Sequence, residues 1–221
     1  MAISALFAVH PWVVPVKQQA VLMTPRSYGP MLALAALGVW LSSIAGLPSA
    51  PALGDWKQWR PLLGFAAALG LALGASSILL DVTLGLSRIA AGAIRAPSIN
   101  VAFPASVAHY VFGAIFVEST YRLAPIPILL WLIGSLMLRG RHQLAVFWSL
   151  AVLTSLIEPV GQAVMLGRQA PLLVSIVAVT EFAGNLVWSE LFRRYGWAAP
   201  VVVRLAQELT WHVAWPLVSG R

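Results

Sequence analysis

The stretch VAFPASVAHYVFGAIFVESTYR, residues 101–122, decides how this chain is read. It is long enough to cross a bilayer and apolar over most of its length. Yet it carries a carboxylate, Glu118, and a guanidinium, Arg122, near its end. The same conflict recurs along the chain. Asp81, Glu118, Glu158, Glu181, Glu190 and Glu208, six of the seven acidic residues, fall inside stretches that read as membrane helices, and only Asp55 sits in a loop. A carboxylate in hydrocarbon costs roughly 2.5–3.5 kcal/mol on insertion scales. Such groups persist by facing a polar interior that supplies partners. The pattern therefore implies a polytopic membrane protein with a buried polar site.

Composition supports the same class. Of 221 residues, 60% are hydrophobic and 10% charged, against about 25% charged in a soluble domain. The chain has no cysteine, which excludes disulfides, thiolate metal sites and a cysteine nucleophile. The net charge of +7 does not point to nucleic acid. The basic residues fall at the ends of apolar segments, where membrane topology places them.

Seven spans are expected in an all-α transmembrane helix bundle: 29–48, 61–87, 101–122, 124–139, 144–167, 170–192 and 199–218. Each is near the length of about 20 residues that a bilayer requires. The fourth is short and opens with Pro125 and Pro127. Residues 1–28 form an N-terminal interfacial segment, since Pro11 and Pro15 interrupt its apolar run and no basic region precedes it. Residues 29–221 then form a single transmembrane domain. With the N-terminus inside, eight basic residues lie on the inner side and five on the outer. The charge rule thus favours an inside N-terminus and an outside C-terminus, in a bacterial inner (cytoplasmic) membrane. Trp56 and Trp59 fall in an outer aromatic belt and Trp197 in the inner one.

Several polar residues recur at helical spacing. Glu118 and Arg122 are four apart, with the acid on the N-terminal side, the better orientation for a helical ion pair. A self-neutralising pair and a general base with its orienting cation both fit that spacing. Arg204, Glu208 and His212 follow at i, i+4 and i+8 and drift only about 80° around a helix, forming one polar stripe. Glu158 stands just before Pro159, which removes a backbone hydrogen bond and opens room for a polar partner. Glu181 and Asn185 form another i, i+4 pair. Glu190 with Arg194 reads as a surface ion pair, and Asp81 with Ser77 as a local structural pair. No Gly-rich phosphate loop, H-E-x-x-H helix or G-x-S-x-G elbow is present, and no cofactor is expected. Glu208 and His212 have metal-ligand spacing, which Glu118 or Glu158 would complete. One histidine with carboxylates is a weak zinc signature, so no metal is assigned.

Two stretches carry a family likeness. One is Val117-Glu118-Ser119-Thr120-Tyr121-Arg122, and the other runs Phe192-Arg193-Arg194-Tyr195-Gly196-Trp197-Ala198-Ala199-Pro200. Over roughly 101–218 the chain resembles the CPBP family of intramembrane proteases, which includes the type II CAAX prenyl endopeptidases. The first stretch is similar to that family's Glu-Glu-x-x-x-Arg motif, with valine replacing one glutamate. The second is similar to its basic aromatic-Gly turn before the last catalytic helix. Where the family has its later histidines and amide, this chain has Glu158, Arg204 and Glu208, and His212 lies two turns further on.

The resemblance implies water attack on a peptide carbonyl of a membrane-tethered peptide or protein tail. Glu118 would be the base and Arg122 its orienting partner. Arg204 and His212 would assist the oxyanion and leaving group, with Glu158 and Glu208 holding those cations and Glu181 and Asn185 in support. Two other readings accompany it. One is a non-catalytic scaffold or accessory subunit of a membrane complex. The other is a proton-coupled carrier, which the absence of an apparent inverted repeat disfavours. Each demands a different geometry. A protease needs Glu118 near Arg204 or His212 around a water-accessible cavity, a scaffold closes these groups into dry salt bridges, and a carrier lines them along a path to both faces. Lipid is the surrounding partner in every case.

Overall fold

Every regular element among the described residues is helical, as long runs of Leu, Ala, Val and Ile without strand alternation require. The computed structural model describes residues 25–48, 55–93, 98–166 and 171–219. The expected interfacial segment, 1–28, lies outside the described residues except for the first turn of the first helix. The helical stretches are α1 (Pro25–Ile44), α2 (Trp56–Leu84), α3 (Leu86–Ala93), α4 (Ala105–Met137), α5 (143–166), α6 (Pro171–Tyr195) and α7 (198–219). Among the described residues, three helices are long and apolar enough to cross a membrane: Trp56–Leu84, Ala105–Met137 and Gln143–Val164.

The expected third and fourth spans are one helix. No loop separates 122 from 124. Instead α4 widens into π-helical turns over Ser119–Leu123 and again over Leu130–Met137. The first widening has a local cause. Pro125 has no N–H to donate, and the preceding Ala124 N–H reaches back five residues to the Ser119 carbonyl at 3.0 Å. The same device recurs in α7. There Trp215, just before Pro216, donates to Thr210 and closes a π-helical turn over Leu209–Ala214. Both widened turns begin immediately after a glutamate of the polar set, Glu118 in one case and Glu208 in the other.

α2 ends earlier than expected, at Gly85, whose φ of 68° lies in the left-handed region that glycine adopts without strain. Asp81 Oδ1 accepts the Ser87 N–H at 2.7 Å and so caps α3. Ser77 Oγ donates instead to the Leu73 carbonyl at 3.1 Å, so the expected Asp81–Ser77 pair does not form.

Small residues set how closely the helices approach. A Cβ on Gly70 would lie 2.3 Å from the Val203 carbonyl oxygen, and one on Gly74 would lie 2.7 Å from Thr210 Cβ. With Ala66 in the same stripe, α2 presents a groove in which the backbone of α7 lies. Position numbers rise together along this contact, so α2 and α7 run parallel. α4 runs antiparallel to α7, since Tyr110 meets His212 and Glu118 meets Arg204. α5 pairs with α6 in antiparallel fashion, with Glu158 against Asn185 and Phe147 in the same core as Phe192. α1 lies on the first π turn of α4, where a Cβ on Gly38 would fall 1.8 Å from the Leu123 carbonyl oxygen. The core beside it gathers Leu123, Ile126, Leu130, Phe147 and Phe192.

Candidate functional site

Four helices bring their polar residues to one point near the middle of the bundle. Glu118 from α4 is 0% exposed. Its Oε1 accepts from Arg122 Nη1 at 2.7 Å and from Arg204 Nε of α7 at 2.8 Å. Arg204 then forks onto Glu158 of α5, with Nη2 to Oε2 at 3.0 Å and Nη1 to Oε1 at 3.4 Å. The break in α5 at Leu156, just before Pro159, is where Glu158 turns inward, as the proline spacing implied. Guanidinium groups suit this role because their planar donors serve two carboxylates at once.

Asn185 of α6 joins all of these groups. Its Oδ1 accepts from Arg204 Nη2 at 3.2 Å and also from Arg122 Nη2, while its Nδ2 donates to Glu158 Oε2 at 3.2 Å. Its backbone carbonyl accepts a further bond from Arg122 at 3.2 Å. The i, i+4 pairing of Glu181 with Asn185 therefore does not form. Asn185 turns into the arginines, and Glu181 is half-buried with no hydrogen bond or ion pair to another described residue.

The stripe on α7 extends the network by longer contacts. Glu208 approaches Arg204 at 3.7 Å and His212 at 3.6 Å. On its far side His212 Nδ1 lies 2.7 Å from Asn100 Oδ1, and its Nε2 faces Glu208. The imidazole is stacked on Tyr110 at 4.4 Å and lies against Trp211 at 4.1 Å. So the six residues Glu118, Arg122, Glu158, Arg204, Glu208 and His212 form one continuous chain, with His212 linked to Glu118 only through Glu208 and Arg204.

Four contributors were not apparent from the sequence. Trp188, 1% exposed, lies under both guanidiniums, 4.3 Å from Arg204 and 5.4 Å from Arg122. Ser189 accepts from Arg122 Nε at 3.4 Å. Asn100 and Tyr110 hold His212. The first two follow Asn185 by three and four residues, so extending its helical face would have found them. Asn100 and Tyr110 carry no such signal, because only the packing of α4 and the segment before it against α7 brings them to His212.

The centre is closed. Glu118, Arg122, Asn185 and Arg204 are all buried. Glu118 Oε2 is likewise enclosed and has no hydrogen-bond partner among the described residues. A cavity of about 770 Å³ lies elsewhere, between the end of α2, α3 and Trp215, and of the polar residues described so far Asp81, Ser87, Asn100 and Trp215 line it. Among the described residues no group of three His, Asp or Glu side chains is placed to hold a metal ion, and neither Glu118 nor Glu158 completes a set with Glu208 and His212. Glu190 forms the surface pair expected with Arg194, and a bidentate one with Arg193 at 2.7 and 2.8 Å. Compared with known protein families, curated proteins and solved structures, the chain matches none of them.

Proposed function

We propose that this chain is an integral membrane protein of CPBP type whose central charge network is a structural lock. In this reading it is a non-catalytic scaffold or accessory subunit of a membrane complex. The observation that carries the reading is the enclosure of Glu118, whose Oε1 is shared by two buried guanidiniums. A general base needs a path for water and substrate to its free oxygen. Here the same carboxylate joins α4 to α7, and Arg204 joins both to α5 and α6.

One observation favours the glutamic endopeptidase reading. Glu118 Oε2 retains its lone pairs, which is what a base that activates water would keep free. On that reading Arg204 would stabilise an oxyanion as a fixed cation. A membrane-tethered peptide would be the substrate, admitted by separation of α4 from α7.

The helix directions also suggest a topology. With 101–122 and 124–139 in one helix, the seven expected spans become six crossings, α1, α2, α4, α5, α6 and α7, with α3 along one face. An even number puts both termini on the same side, in place of an inside N-terminus with an outside C-terminus. Trp56 and Trp197 then share one interface.

The deciding experiment is purification of the full chain from membranes and mass spectrometry of what accompanies it, for the parent and Glu118→Gln. Partner chains at fixed stoichiometry with the parent support the subunit reading. A peptide retained only by Glu118→Gln supports the protease and overturns the lock as the function of the network.

A further inference from the structure

The turn between α4 and α5 carries a second feature that the central network does not use. Its sequence is Leu138-Arg139-Gly140-Arg141-His142. Three of these residues have positive φ: Arg139 at 52°, Gly140 at 78° and His142 at 59°. Left-handed backbone is natural for glycine and unfavourable for arginine and histidine. The turn is nevertheless pinned. Gly140 N–H donates to Gly134 O at 2.8 Å, Arg141 N–H to Leu138 O at 2.9 Å, and Leu138 N–H to Ile133 O at 2.9 Å.

That shape presents two guanidiniums without partners, beside an imidazole. Arg139, Arg141 and His142 are exposed and make no ion pair or hydrogen bond through their side chains to another described residue. Arg193 and Arg194, at the same end of the bundle, are by contrast closed onto Glu190. No acidic residue occurs anywhere between Glu118 and Glu158. Both arginines are thus open to an anion from outside the chain.

Arg139 and Arg141 line a concavity of about 470 Å³ together with His142, Met137 and Leu138. Met137 is 69% exposed, and Leu136 and Leu144, which flank the turn in sequence, are 53% and 58% exposed. A free anion has no use for an apolar rim, whereas a phospholipid has a phosphate for the arginines and acyl chains for the rim. Arginine forks match phosphate oxygens in bidentate geometry. The first backbone N–H groups of α5 lie at the same turn, and no side chain caps them.

We propose that the α4–α5 turn is a binding site for the phosphate headgroup of an anionic phospholipid, held by Arg139 and Arg141. The site rests on the membrane-embedded reading above. It adds a specific lipid at one face of the bundle and requires no catalysis.

The test uses the full chain in a neutral detergent and in nanodiscs. Native mass spectrometry counts retained lipid while phosphatidylglycerol, phosphatidylcholine or inorganic phosphate is added. The parent is expected to retain phosphatidylglycerol at least 10-fold more tightly than phosphatidylcholine, and to lose it as salt rises. The Arg139→Gln/Arg141→Gln variant should lose that preference with its melting temperature in detergent unchanged, because both side chains are exposed. Phosphatidylglycerol binding that is equal in parent and variant overturns the proposal. Competition by millimolar inorganic phosphate alone overturns the lipid assignment in favour of a free-anion site. The underlying membrane reading is tested separately by carbonate extraction. A chain released into the soluble fraction refutes that reading, whereas a retained chain without lipid preference refutes only this site.

Discussion

Arg204 Nε donates to Glu118 Oε1 at 2.8 Å across 86 residues of sequence, and the same guanidinium reaches Glu158 and Asn185. One side chain therefore ties α7 to α4, α5 and α6. Removing it leaves Glu158 without a cation and Glu118 with Arg122 alone. Arg204→Ala should destabilise the protein by about 3–5 kcal/mol, the usual cost of breaking a buried pair from one side. Thermal unfolding in detergent checks this, and a variant as stable as the parent refutes the lock.

Arg204→Lys separates charge from geometry. An ammonium keeps the charge but lacks the planar fork that serves Glu118 and Glu158 together. The expected result is a loss smaller than for alanine but clearly measurable. A lysine variant with parental stability would mean that charge alone is needed.

Trp188 carries the two guanidiniums on its face and is itself in the core with Ala66, Leu191 and Val203. Trp188→Ala should cost about 3–5 kcal/mol through the cavity alone. Trp188→Phe keeps much of the volume with a weaker π face and should cost markedly less. Equal losses in the two variants would show that the cation–π geometry, rather than the volume, dominates.

Gly70 and Gly74 face backbone and Thr210 across the α2–α7 contact. The Val203 carbonyl belongs to a helix and cannot move aside alone. Gly70→Val should therefore push α7 away and destabilise by about 1–3 kcal/mol or more. Gly64→Val, where nothing lies within 4 Å, is the matched control and should be near neutral apart from helix propensity. Circular dichroism melts of the pair provide the comparison.

Reporter fusions at the two ends test the crossing number. Six crossings predict the same compartment for both. Opposite compartments would restore an odd count and place a reversal inside Ala105–Met137.

Much of the central site was legible because burying charge in an apolar chain is costly. Glu118, Arg122, Glu158, Arg204, Glu208 and His212 all sit on hydrophobic helices, so each had to find a partner, and few partners exist. The i, i+4 spacing supplied Glu118–Arg122 and Glu190–Arg194 directly, since helical neighbours are set by local geometry. The same rule failed for Glu181–Asn185 and for Asp81–Ser77. In each case a group outside that helical turn offered the better contact: two distant arginines for Asn185, and the start of α3, six residues on, for Asp81.

By itself, then, the sequence determined the helical class, the presence of helices long and apolar enough to cross a membrane, and the identity of the residues that had to meet. These follow from hydrophobicity and charge, which belong to each residue wherever it lies. The tertiary structure alone decided that Pro125 widens a continuous helix instead of starting a new span. It alone decided that Gly70 and Gly74 seat α7 parallel to α2, and that Trp188 and Asn100 complete the site. Those outcomes depend on which backbones approach within a few ångströms. That approach is set by side-chain volumes on several helices at once, which no single stretch of sequence contains.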